Sequence, residues 1–99
     1  MIGGNVVNMT NVAENLEKTS QVLRKYGFDF WANKLDASKS EIGQKSETEI
    51  INSLKKLYGG FGTLMDLAVD PYELPKGVTE EAGNKELIGS INDLHRSLG

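Results

Sequence analysis

The chain has 99 residues, no cysteine, one histidine and a formal charge of −3. A chain of this length builds one core and buries about 60–70% of its unfolded surface, so a single domain is expected. The missing cysteines exclude disulfides, thiolate metal sites and a cysteine nucleophile, and they suit a reducing cytosol. The acidic balance argues against nucleic acid as a partner. Met1-Ile2-Gly3-Gly4-Asn5 lacks the basic stretch and long apolar run of a signal peptide, and no apolar run approaches the length of a membrane span. A cytoplasmic protein with no membrane partner is expected.

Val12, Leu16, Thr19, Leu23 and Tyr26 recur at three- and four-residue steps and predict a first helix from about Thr10 to Tyr26. Asn8 or Thr10 is placed to cap it, and Gly27 stands where a left-handed residue ends a helix. Phe28, Trp31 and Leu35 open a second helical stripe, with Asp29 as its expected N-cap and Trp31 as an expected core residue. That helix ends between Ser38 and Ile42. Ser46-Glu47-Thr48-Glu49 has capping-box spacing, and Ile50, Ile51, Leu54, Leu57 and Tyr58 behind it predict a third helix, with Lys55 and Lys56 outside and Gly59-Gly60 as its stop.

The run Leu57-Tyr58-Gly59-Gly60-Phe61-Gly62-Thr63-Leu64-Met65-Asp66-Leu67 packs three glycines into four positions. Glycine loops of this kind can cradle phosphate, but no lysine follows the turn, no strand clearly precedes it, and the nearby charge is negative. A structural turn, with Gly62 admitting a neighbouring helix, is the expected role. Residues 61–69 are either a short buried helix capped by Thr63, the favoured reading, or an extended segment. Asp70-Pro71 ends it, and 71–77 is a loop. A last helix starts at Thr79 or Asn84 and is expected to bury Leu87, Ile88, Ile91, Leu94 and Leu98, with Gly83 and Gly89 weakening it or marking close helix contacts. No hairpin pattern occurs. The expected fold is all-α, a compact bundle of four to five helices with the glycine-rich turn near the middle.

Charge is unevenly spread. From Asp66 to Glu81 the chain carries Asp66, Asp70, Glu73, Glu80 and Glu81 against Lys76 alone, so one segment holds the whole negative excess. As metal ligands Asp66, Asp70 and Glu73 lack the EF-hand order and its central glycine. His95 has no Ser, Cys or ligand set around it in the sequence. No catalytic residue, no metal ligand and no cofactor is therefore expected. A solvated face is the ordinary explanation of such a charge run. Its functional version is a surface that steers and holds a basic protein, with Asp66, Asp70, Glu73, Glu80 and Glu81 for charge and loop-borne Tyr72 and Leu74 as apolar anchors. The alternatives are a helical adaptor presenting an apolar stripe from 61–69, and an enzyme using carboxylates with a divalent metal.

The glycine run resembles the Leu-Tyr/Phe-Gly-Gly-Phe/Met-Gly-Thr/Ser turn of a small, little-characterised family of bacterial helical proteins. Trp31-Ala32 and Asn84-Lys85-Glu86-Leu87 match weaker features of that family, and the likeness spans about residues 12 to 94. In size and composition the chain also looks like the cytoplasmic immunity proteins of contact-dependent or secreted toxin systems. That resemblance implies a non-enzymatic antitoxin, monomeric when free, which binds and occludes a basic bacterial toxin domain such as a nuclease. It assigns no residue.

Overall fold

The computed structural model describes residues 7–59 and 63–99. Among them lie four α-helices, α1 (Met9–Lys25), α2 (Asp29–Ser40), α3 (Glu47–Lys55) and α4 (Glu80–Ser97), with 3-10 turns at Lys56–Tyr58 and Leu64–Asp66. No β-strand occurs among the described residues, where Ile42 and Lys45 form an isolated bridge. The fold is the expected all-α bundle, at the lower of the two helix counts. Gly60, Phe61 and Gly62, the middle of the glycine turn, lie outside the described residues.

The helix ends follow local chemistry. Asn8 Oδ1 accepts the backbone N–H groups of Thr10 at 2.9 Å and Asn11 at 3.2 Å, satisfying donors that the first turn leaves open. Gly27 adopts φ +87°, as its place after α1 requires. Ser46 Oγ accepts the Glu49 N–H at 3.2 Å, and the two side chains meet at 3.1 Å. Thr79, not Asn84, starts α4: its Oγ1 accepts the Ala82 N–H at 3.1 Å. Asp29 does not cap α2. The reversal at Gly27 leaves Phe28 as the flanking residue and makes Asp29 the first helical one, where its charge suits the helix dipole.

Helix α1 is the centre of the bundle, with α2 and α4 antiparallel to it on either side. Along α1–α4, Lys18 Nζ lies 3.3 Å from Asp93 Oδ2, Thr19 Oγ1 donates to the Ser90 carbonyl at 3.1 Å, and Tyr26 OH donates to Glu86 Oε1 at 2.6 Å. Along α1–α2, Lys39 Nζ pairs with Glu17 at 3.0 Å, Ser20 Oγ donates to Asp36 Oδ1 at 2.6 Å, and Arg24 donates to Asn33 Oδ1 at 2.7 Å. Opposed numbering in both series sets the C-terminus of α1 and the N-termini of α2 and α4 at one end of the molecule.

The core takes Val12, Leu16 and Leu23 from α1, Leu35 from α2, Ile50 and Leu54 from α3, and Leu87, Ile91 and Leu94 from α4. Each such side chain stabilises the fold by about 1.5–3 kcal/mol relative to exposure. Tyr58 closes one flank by donating its hydroxyl to the Ile91 carbonyl at 2.9 Å, and burial raises its phenol pKa.

Three further expectations need correction. Trp31 is half-buried, packed against the core from its edge with Phe30 against it edge-on at 5.7 Å. Ile88 is 48% exposed, because Leu87 and Ile91 fill the inward stripe and turn Ile88 to the flank. Residues 63–69 form no buried α-helix. Leu64–Asp66 makes one 3-10 turn, Leu67 returns to extended backbone, and Leu64 and Val69 are buried while Met65 is exposed.

Candidate binding surface

After that turn the chain runs back along α4 as an irregular strap, residues 67–79, fastened at several points. The Val69 N–H donates to Asn84 Oδ1 at 2.8 Å, and the Val69 side chain is buried. Gly83 lets the strap come close: a Cβ there would stand 3.3 Å from Val69 Cγ1, 3.5 Å from Leu74 Cδ2 and 3.1 Å from the Tyr26 ring. Two turns shape what lies between. Asp70 Oδ1 accepts the Tyr72 N–H at 2.9 Å and the Asp70 carbonyl accepts the Glu73 N–H at 3.1 Å. The Pro75 carbonyl accepts the Val78 N–H at 3.0 Å, with Gly77 at φ +82° in the position where such a turn demands a left-handed residue.

All five predicted acids, Asp66, Asp70, Glu73, Glu80 and Glu81, are exposed. Asp70 and Glu73 stand on the first strap turn with Tyr72 between them, and Tyr72 is 94% exposed. Glu80 and Glu81 sit in the first turn of α4, where they favour the helix dipole irrespective of any partner. Asp66 closes the 3-10 turn at the start of the strap. Leu74 differs from the other anchor. It is half-buried and packs against the core over Gly83.

A second constellation, missed from the sequence, lies at the same end of the bundle. Lys25, Tyr26, Gly77, Val78, Ala82, Lys85 and Glu86 line an open groove of about 430 Å³, which none of the predicted residues enters. Glu86 Oε1 accepts both the Tyr26 hydroxyl and, at 2.9 Å, Lys25 Nζ. The tyrosine bond, then the lysine bond, hold the Glu86 carboxyl below its ordinary value, and the same contacts raise Tyr26 and Lys25. On the opposite side of α1, the Ser20 hydroxyl and then the Arg24 guanidinium depress Asp36, which Arg24 meets at 2.7 Å. Both clusters join helices. His95 is exposed on α4 with its ring tilted against Tyr58 at 4.5 Å. Among the described residues no three His, Asp or Glu side chains converge as a metal site, and no helix is long and apolar enough to cross a membrane.

The fold thus defines a small all-α bundle with an acidic, tethered strap along its last helix. Comparison with protein-family models, curated proteins and solved structures found no match.

Proposed function

We propose that this chain is a cytoplasmic immunity protein that binds a basic toxin domain, a nuclease being the fitting kind, and neutralises it by occlusion rather than by chemistry of its own. The observation that carries the reading is Tyr72: a nearly bare aromatic side chain between Asp70 and Glu73, on a turn closed by its own hydrogen bonds and set between Val69, buried and bonded to Asn84, and the half-buried Leu74. A pre-formed turn loses little conformational freedom on binding, and acids around an aromatic anchor supply long-range attraction and contact together. The adaptor reading needs an apolar stripe from 61–69. Among the described residues of that stretch Leu64 and Val69 are buried and only Met65 is a large exposed apolar side chain, which supports it less well.

The test is a pull-down with the tagged chain from lysate of its own source, washed at low and then high salt. The reading expects a basic protein with a toxin-like domain, released by salt and lost from the Asp70→Lys, Glu73→Lys variant. Equal capture by that variant would remove the strap from the interface.

A further inference from the structure

The strap is not an isolated loop. It forms a continuous seam with one flank of α4, and the exposed apolar side chains gather there. Residues Glu81, Asn84 and Ile88 stand at i, i+3 and i+7, so they share a stripe of the helix. The Asn84 side chain holds the Val69 N–H, which fixes that stripe as the one bordering the strap. Tyr58 reaches the Ile91 carbonyl one helical turn beyond Ile88, and the 3-10 turn Leu64–Asp66 between these two fastenings packs on α4. Asn84 and Ile91 are separated by about 10 Å of helix, and Ile88 lies between them on α4 as Met65 lies between Tyr58 and Val69 in the chain. Three of the four large apolar side chains exposed among the described residues, Met65 (54%), Tyr72 and Ile88, therefore belong to the strap, to the turn that leads into it or to the α4 flank that borders it. Asp70, Glu73 and Glu81 stand exposed along the seam, with Lys85 the basic side chain exposed on the same α4 flank, so the acids outnumber it.

We infer that this seam is the docking face, with Met65 and Ile88 at its apolar centre, Tyr72 at its end and the acids as its rim. The inference rests on the proposed binding of a basic protein and replaces Leu74, which is spent on the core, with two anchors from outside the acidic loop. Charge selects the occupant. A second copy would bring the same acids against themselves, whereas a basic domain with an apolar patch meets both parts of the face. Apolar centres inside polar rims carry most of the energy of such contacts.

The test places a photo-crosslinking phenylalanine analogue at position 88, at position 72 or, as a control on the outer face of α1, at position 21 of the full chain in its source cells. Adducts are identified by mass spectrometry. The expected result is one and the same basic protein joined from 88 and 72 and absent from 21. Adding Ile88→Ala to the position 72 probe should lower that adduct about tenfold, as loss of one anchor does; since Ile88 is exposed, folding is retained. Adducts from 72 without any from 88 overturn the seam and leave the proposed function standing. Adducts from neither position overturn both. An adduct at 88 with a second copy of this chain replaces the basic partner with self-association.

Discussion

Asn84 Oδ1 accepts the backbone N–H of Val69 at 2.8 Å, the side chain of a helical residue taking the place of a missing main-chain partner for the strap. Replacing Asn84 with alanine leaves that half-buried donor unsatisfied, which costs about 1–3 kcal/mol. Denaturant unfolding should show the loss. Limited proteolysis should show where it falls, with cleavage appearing between 67 and 79 before global unfolding. An unchanged digest would mean that Val69 and Leu74 hold the strap without the bond.

Gly83 and Gly89 occupy the same helix and should respond oppositely to alanine. At Gly89 a Cβ meets nothing within 4 Å, so Gly89→Ala should gain about 0.4–1 kcal/mol. At Gly83 the new carbon would press on Tyr26 and Val69, and Tyr26 cannot yield freely because its hydroxyl is fastened to Glu86. Overpacking of this kind costs about 1–3 kcal/mol, enough to reverse the helix gain. Melting temperatures of the two variants, measured side by side, decide it.

Stability should fall at both ends of the pH scale. Asp36 and Glu86 are held below their ordinary values of 3.8 and 4.5, so the unfolded chain takes up those protons first. Their contribution is complete above those values and is lost as pH falls through the depressed ones. Tyr26 and Tyr58 lie above their ordinary value of 10.0, so their contribution is complete below it and is lost as pH rises through the raised ones. Thermal unfolding across pH should give a plateau with two falling limbs; Asp36→Asn should flatten the acid limb alone, whereas Glu86→Gln should flatten both, because the Glu86 carboxylate is also what raises Tyr26.

Tyr72 and Leu74, two residues apart, should separate binding from folding. Tyr72→Ala removes a side chain that is almost wholly in solvent, so unfolding should shift by less than about 0.5 kcal/mol while partner capture drops. Leu74→Ala uncovers Gly83 and Val69 and should lower stability by about 1–3 kcal/mol. Equal stability of the two variants would put Leu74 back among the surface anchors.

What could be read from the sequence was what short-range chemistry decides. Asn8, Ser46 and Thr79 cap their helices within three residues of themselves, so spacing singles out Ser46 and narrows the other two caps to Asn8 or Thr10 and Thr79 or Asn84. Leu16, Leu23 and Leu94 announce their burial by helical period. Ile88 belongs to the same periodic pattern, yet its exposure depends on where the strap crosses α4, and that is decided by Asn84 and Gly83 meeting residues fourteen or fifteen positions away in Val69. Leu74 fails for the same reason: beside Tyr72 it reads as a loop residue, and only the bare backbone of Gly83 opens a place for it. Residues 64–66 carry too few apolar positions for a period to separate helix from a 3-10 turn. The acidic excess was plain in the composition of 66–81, but the Tyr26–Glu86–Lys25 cluster joins residues some sixty positions apart and leaves no local trace.

The most direct test of the proposed function is the association rate of the purified chain with the basic protein it captures, followed as salt is raised. Steering by Asp70 and Glu73 predicts that Asp70→Lys with Glu73→Lys slows association about tenfold or more at low salt, with the difference closing as the charges are screened. Equal rates for the two proteins at low salt would contradict an acidic docking face.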